Sequence, residues 1–372
     1  MSTSDPFEIF LACAPGLEAA LLAEVHAKGF ANPVATGGGV TIEGGWPDVW
    51  RANLELRGAG RVLARFGNFM AFHLAQLDKR SRKFDWAAVL RPDVPVRVEV
   101  TTSKKSKIYH AGAAVQRIEK ALVESFGATL ASDAPICLKV RIDDNKVQFS
   151  VDTSGESLHK RGHKPAVNKA PMRETLAALM LSECGYDGRE PVYDPMCGSG
   201  TFVLEAAEIA LGLNPGRSRH FAFEQLATFD PQVWADMRAG SARLETDLRF
   251  YGSDRDAGAV RMSAANAEAA GVAHISHFEV KAVSDITPPD GPKGLVIVNP
   301  PYGARIGNKN LLFGVYGALG KVLMERFSGW RVGIVTNEAG FARATGLPFL
   351  PHGAPIAHGG LKVRLYRTDP LP

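Results

Sequence analysis

Two short segments carry side chains suited to chemistry. Asn299-Pro300-Pro301-Tyr302 closes the apolar run Leu295-Val296-Ile297-Val298, and Asp194-Pro195-Met196-Cys197-Gly198-Ser199-Gly200-Thr201 joins a strand-like stretch to a helix-like one. An amino group conjugated to a planar ring is a poor nucleophile, because its lone pair is delocalised into the ring. Two acceptors that grip its N–H bonds favour a more tetrahedral nitrogen. The Asn299 side-chain carbonyl and the Pro300 backbone carbonyl can supply them. Pro301 restricts the turn and Tyr302 offers a ring for stacking on a base. In the earlier segment, Gly198 and Gly200 permit a sharp turn close to a nucleotide-like cofactor, and Asp194 can face a cationic amino-acid moiety. Together the segments suit methyl transfer from S-adenosylmethionine (SAM) to a planar, conjugated nitrogen.

The glycine segment is not a phosphate loop of the GxxxxGK[ST] type, since no Lys follows Gly200. Nor does it complete GxGxxG, whose third position is Val203 here. Asp254, after Tyr251-Gly252-Ser253, ends the next strand-like run and can accept hydrogen bonds from both hydroxyls of a ribose. Asp256 reads instead as the cap of the helix that follows.

Positioning these groups requires strands that end at them. From residue 173 onward the pattern alternates. Strands are expected at 191–193, 249–252, 277–280, 295–298 and 331–336, with helices at 173–183, 202–211, 257–270 and near 316–327. Such alternation predicts a parallel sheet flanked by helices, with ligands at the carboxyl ends of its strands. The first part of the chain reads as α+β. A strand at 7–12, a helix at 17–28 stopped by Gly29, a strand around Val40 and Ile42 and a helix at 47–56 come first. Alternation at Val96, Val98 and Val100 then predicts a strand. A helix at 113–126 is expected to carry Ala114, Ile118, Leu122 and Val123 on one face, and a hairpin turns at 143–145. Lys79-Arg80-Ser81-Arg82-Lys83 and Lys104-Lys105-Ser106-Lys107 are expected to be basic loops around the strand at Val96.

The net charge of +4 is unevenly spread. Residues 57–120 hold 14 Lys/Arg against 5 Asp/Glu, a local +9, so the remainder carries −5. That asymmetry points to one basic surface, as a phosphate backbone would require. At 45% hydrophobic and 22% charged, the composition is that of an ordinary globular protein. No apolar stretch reaches the roughly 20 residues that span a bilayer. Residues 1–6 do not read as a secretory signal. The four cysteines are widely spaced, which argues against a metal or disulfide framework and fits a cytoplasmic protein.

With these motifs in place, the chain resembles class I SAM-dependent amino methyltransferases, in the RNA branch that carries an N-terminal THUMP domain. Further matches are Pro15-Gly16-Leu17-Glu18, Leu158-His159-Lys160-Arg161-Gly162-His163, Tyr251-Gly252-Ser253-Asp254, the run from Pro171 to Ala178, and Gly303 after Tyr302. The likeness covers nearly the whole chain and is strongest to the N-terminal half of the bacterial 23S rRNA guanine-N2 methyltransferase. The resemblance implies a ferredoxin-like unit at 1–60, a THUMP RNA-binding domain at 61–155, a linker at 156–170 and a Rossmann-like catalytic domain at 171–372. It implies a SAM site of Asp194, Met196, Cys197, Gly198, Ser199, Gly200, Thr201, Asp254 and Arg255, with catalysis by Asn299, Pro300, Pro301 and Tyr302. The family's acidic contact to adenine aligns with Ala282, so Asp285 is expected to substitute. RNA is expected to meet Lys79, Arg80, Arg82, Lys83, Lys104, Lys105, Lys107 and Arg161. Lys164 and Arg161 could equally solvate a crossing segment. Three rivals stand beside an RNA guanine-N2 methyltransferase. They are an adenine-N6 DNA methyltransferase, a protein-glutamine methyltransferase, and a non-catalytic RNA-binding protein with a degenerate SAM site. No metal is expected.

Overall fold

The structure, a computed structural model, describes residues 6–164, 172–240, 243–302 and 309–372. Pro171, Gly303 and linker residues 165–170 therefore lie outside the described residues. The chain forms two compact units. One comprises Met1–Cys13, Leu22–Leu158 and Arg219–Gly240; the other comprises Ala14–Leu21, His159–Ser218 and Ser241–Pro372. A linear division at 60, 155 and 170 makes no provision for the return of residues 219–240 to the first unit.

In chain order, the N-terminal elements are β1 (Phe7–Ala12), α1 (Glu18–Ala27), β2 (Val34–Thr36), β3 (Gly39–Gly44), α2 (Trp46–Glu55) and β4 (Arg61–Met70). They continue with α3 (Leu74–Arg82), β5 (Val96–Thr102), α4 (Ala111–Ala121), β6 (Ile136–Asp143) and β7 (Lys146–Asp152). Their strands make one seven-stranded sheet in the order β2-β3-β1-β4-β7-β6-β5. β4 pairs with β1 on one side and β7 on the other, so a boundary at residue 60 falls inside a continuous sheet. Alternation makes these strands half-buried: Leu138, Val140 and Ile142 face Val147, Phe149 and Val151, all at most 2% exposed. Asp144 and Asn145 both have positive φ (47° and 63°), the backbone a two-residue hairpin turn needs.

Two expectations need correction here. Lys79–Arg82 lie on α3, not in a loop. Val123 is 45% exposed and does not share the face of Ala114, Ile118 and Leu122, because nine helical residues at about 100° each set it on the side opposite Ala114.

The remaining elements are α5 (Glu174–Glu183), β8 (Val192–Asp194), α6 (Thr201–Ala210), α7 (Pro231–Ala239), β9 (Phe250–Asp254), α8 (Ala257–Ala270) and β10 (Ser276–Val280). They end with β11 (Leu295–Val298), α9 (Lys309–Arg326), β12 (Arg331–Thr336), α10 (Ala339–Ala344), β13 (Ile356–His358) and β14 (Leu361–Arg367). The second sheet runs β10-β9-β8-β11-β12-β14-β13. It is parallel from β10 to β12, as the alternating pattern predicts, but β14 joins antiparallel to β12. All four residues of β11 are buried, which suits a strand paired on both sides. Strand order reverses between β8 and β11: β9 and β10 extend the sheet one way, β12 the other. A doubly wound sheet opens a crevice at that switch point, beyond the carboxyl ends of the two strands.

Candidate active site

Both chemical segments begin at that crevice. Register pairs Val296 with Tyr193, and Asp194 with Gly252 on β9. The loop after Asp194, the carboxylate of Asp254 and the loop after Val298 therefore leave three adjacent parallel strands at the same end.

The glycine loop is fixed from several sides. Gly198 and Gly200 have positive φ (56° and 82°), and Gly200 is the residue before α6. The Cys197 N–H donates to the Ser253 carbonyl at 2.9 Å, and the Gly198 N–H donates to Asp254 Oδ2 at 3.1 Å. From α8, Ser263 Oγ donates to the Gly198 carbonyl and Asn266 Nδ2 to the Ser199 carbonyl, each at 3.0 Å. A methyl group built on Gly252 would stand 2.6 Å from the Phe278 ring, so β9 must be bare there. One built on Gly198 would meet nothing within 4 Å among the described residues.

Asp194 is 3% exposed, and its Oδ1 accepts from the Met196 N–H at 3.1 Å. Burial raises its pKa to about 8, the Met196 N–H opposes this, and the nearby Asp254 adds to it. A cation placed beside it would offset the desolvation of the ionised form. Asp254 closes its own turn by accepting from the Asp256 N–H at 3.0 Å, and Asp256 caps α8 through the Gly258 N–H at 2.8 Å, as expected of it. Cys197 is buried and its thiol is pushed up by desolvation, so it is a packing group. Met196 and Tyr302 both pack against the apolar core beneath, which includes Tyr316, Phe341 and Val298. Burial lifts the Tyr302 phenol to about 12, keeping it neutral.

At the end of β11, Asn299 Oδ1 is buried and has no hydrogen-bond partner among the described residues. A buried amide oxygen without a donor is costly unless something supplies one. The Tyr316 hydroxyl donates to the Pro301 carbonyl at 3.5 Å, bracing the turn from α9.

Arg255 is exposed, and Asp285 is exposed on a short turn after β10, where its Oδ1 accepts from Ser284 Oγ. Thr201 is 4% exposed, and its Oγ1 accepts from Lys164 Nζ at 2.6 Å. Lys164 also pairs with Glu174 at 2.9 Å, two residues that the motifs do not single out for the site. Arg161 cannot serve as an RNA contact in this conformation: it is 2% exposed and its Nε donates to Glu205 at 3.0 Å. Of the basic cluster on α3, Lys79, Arg80 and the following Lys83 are exposed, while Arg82 is half-buried between Asp78 and Glu124. Lys104, Lys105 and Lys107 are exposed. Among the described residues no His, Cys, Asp or Glu cluster is arranged to hold a metal.

Residues 161–348 match the family model described as RMKL-like, methyltransferase domain. The chain belongs to the RMKL-like methyltransferase family. Its residues 8–63 match the RlmL ferredoxin-like domain, so the RMKL-like assignment agrees at both ends with the resemblance read from the motifs. This RMKL-like chain is 31% identical to "Putative RNA methyltransferase slr0064" of Synechocystis sp. over 99% of its own length and 97% of the relative. Among solved structures it is similar to a "predicted N6-adenine-specific DNA methylase" from Listeria monocytogenes. That likeness has 30% identity and a TM-score of 0.87, over 99% and 97% of the two chains. SMU.472, solved in complex with S-adenosylhomocysteine (SAH), shares 27% identity and a TM-score of 0.87 over 99% of each chain. The RMKL-like catalytic unit is thus a Rossmann-like methyltransferase, and the N-terminal unit contains the ferredoxin-like part.

Proposed function

We propose that the chain methylates an exocyclic amino group of a base in RNA, and that the group is guanine N2 in 23S rRNA. The observation that carries this is the buried Asn299 Oδ1, without a hydrogen-bond partner among the described residues, at the switch point of the sheet. The cofactor is SAM, which supplies an electrophilic methyl group and leaves as SAH. Asp194 is suited to its ammonium group, the loop of Met196, Cys197, Gly198, Ser199, Gly200 and Thr201 to its amino-acid portion, and Asp254 to its ribose hydroxyls. Arg255 and Asp285, both exposed, are read as the residues toward adenosine.

Asn299 Oδ1 and the Pro300 carbonyl accept the two N–H bonds of the substrate amine. The nitrogen lone pair is thereby turned out of conjugation and toward the methyl group, and Tyr302 stacks on the base. Once the N–C bond has formed, the nitrogen carries an acidic proton that passes to water, so no side chain of raised basicity is needed. The same grip fits adenine N6, the chemistry named for the Listeria relative. RNA is favoured by the +9 segment at 57–120, by the RlmL ferredoxin-like match and by the name of the Synechocystis relative. We read residues 61–155 as a THUMP domain that meets RNA through Lys79, Arg80, Lys83, Lys104, Lys105 and Lys107. Four free cysteines suit a cytoplasmic enzyme.

The test is to incubate the protein with SAM and rRNA from a strain lacking it, then analyse nucleosides by mass spectrometry. N2-methylguanosine confined to 23S rRNA is expected. N6-methyladenine in DNA, with unmodified RNA, would overturn the proposal.

A further inference from the structure

Three connections meet at one end of the first unit's sheet: residues 70–73 after β4, residues 103–110 after β5, and the hairpin turn 143–146. Hydrogen bonds tie them together. The Ala71 N–H donates to the Asn145 carbonyl and the Lys107 N–H to Asn145 Oδ1, each at 2.9 Å. Ser106, 6% exposed, donates from Oγ to the Ile142 carbonyl and accepts from the Asn145 N–H. Thr102 Oγ1 donates to the Tyr109 carbonyl at 2.9 Å. This end is therefore a defined platform rather than three independent loops.

Its outer surface is unusual for a protein facing only water. Tyr109 is 72% exposed, Phe72 42% and Met70 40%. Lys107 Nζ lies 5.5 Å from the centre of the Phe72 ring. Lys104, Lys105, Lys107, Arg141 and Lys146 are exposed there, against Asp143 and Asp144. Asp143 is further occupied by Arg141 at 3.1 Å and is held below the usual carboxylate range by Ser103 and Arg141. The platform adjoins the basic helix α3: Met70 pairs with Lys146, and Arg80 stands 6.0 Å over the Phe69 ring.

We infer that this platform seats unpaired RNA nucleotides, with bases stacked on Phe72 and Tyr109 and phosphates met by Lys104, Lys105, Lys107 and Lys146. The inference rests on the RNA reading above and adds the kind of strand recognised. Lysines alone would serve a duplex equally well. Exposed rings find nothing to stack on in a duplex, whose base faces are already covered, whereas in a single strand every base offers a face.

The experiment measures binding of the full-length protein to a labelled 12-nucleotide RNA, alone and annealed to its complement, at several salt concentrations. Wild type is expected to prefer the single strand. Replacing Phe72→Ala and Tyr109→Ala together should weaken single-strand binding at least about tenfold, with the salt slope and SAH affinity unchanged. Replacing Lys104, Lys105, Lys107 and Lys146 by Gln should instead flatten the salt slope. Equal binding of duplex and single strand by wild type, or an unimpaired Phe72/Tyr109 variant, would overturn the platform. If wild type still methylates rRNA in that case, the proposed function stands and only the platform falls. Unchanged RNA affinity with loss of a protein partner would equally overturn it. Wild type that binds neither form of RNA would sink both readings.

Discussion

At the scale of single residues, the site divides binding from chemistry. Asn299 lies beyond the glycine loop, with its side-chain oxygen unmatched among the described residues, so Asn299→Ala is expected to leave SAH affinity near wild type. Single-turnover methyl transfer should fall by about 100-fold or more, because the interaction removed acts on the reacting nitrogen. Asp194 supports a prediction about protons. Its carboxyl is raised to about 8 when the site is bare, so at neutral pH it is largely protonated. A cationic ligand beside it favours the ionised form, so binding should release a proton, and this share of the affinity should grow as pH rises toward 8 and then level off. The same sign holds for stability. The folded pKa exceeds the unfolded one, so the group's contribution falls as pH rises from about 4 to about 8. Calorimetry of SAH binding at pH 7 in two buffers of different ionisation enthalpy measures the proton. The release should vanish in Asp194→Asn, and its persistence there would remove the assignment. Asp194, Asp254 and Asn299 are legible in the sequence because each ends a recognisable strand. Ser263, Asn266, Lys164 and Glu174 are not, because only packing brings them to the loop. Ser263 and Asn266 leave one trace, two polar residues three apart on an alanine-rich helix, both 0% exposed.

At the scale of elements, the segment before α5 is held by ion pairs at Arg161 and Lys164 and by a close polar contact at His163. Arg161 pairs with Glu205 on α6, His163 with Glu208 at 2.6 Å, and Lys164 with Glu174, every partner largely buried. Removing one member of a buried pair leaves the other charge stranded, at a cost of about 3–5 kcal/mol. Arg161→Met should therefore lower the melting temperature clearly, while Arg161→Met with Glu205→Leu should recover much of it. A double variant as unstable as the single one would show that the two residues matter separately. Lys164→Met should weaken SAH binding, since Lys164 supports Thr201 at the start of α6, and Lys164→Arg should restore part of that affinity. A linker rich in Lys, Arg and His looks in sequence like a solvated or RNA-facing strand, and only its acidic partners reveal otherwise. Strands with clean alternation, such as β5, β6 and β7, are legible. β4 is not, because a register shift between Ala64 and Gly67 breaks its period. β14 also falls outside the expected strands, although its Leu361, Val363 and Leu365 alternate plainly.

At the scale of the whole molecule, charge and connectivity matter most. Neutralising Lys79, Arg80 and Lys83 should lower RNA affinity and reduce the log–log salt slope by about 0.7–0.9 for each phosphate no longer neutralised. Filter binding across salt concentrations checks this, and an unaltered slope would make the cluster a solvated helix face. The local charge excess is visible in composition, whereas the return of residues 219–240 to the first unit is not. That return completes an aromatic cluster. Trp50 lies 6.0 Å from Phe223 and 5.8 Å from Phe229, Trp234 stands edge-on to Phe223, and the Phe223 N–H donates to the Thr153 carbonyl. During synthesis the chain reaches Leu158 with three of these four rings missing. It must then grow to Gly240, about 4–16 s at 5–20 residues per second, before the missing rings exist. The first unit thus cannot finish folding before the second has begun to emerge. Throughout that interval Trp50 is a nascent-chain surface that a chaperone can hold.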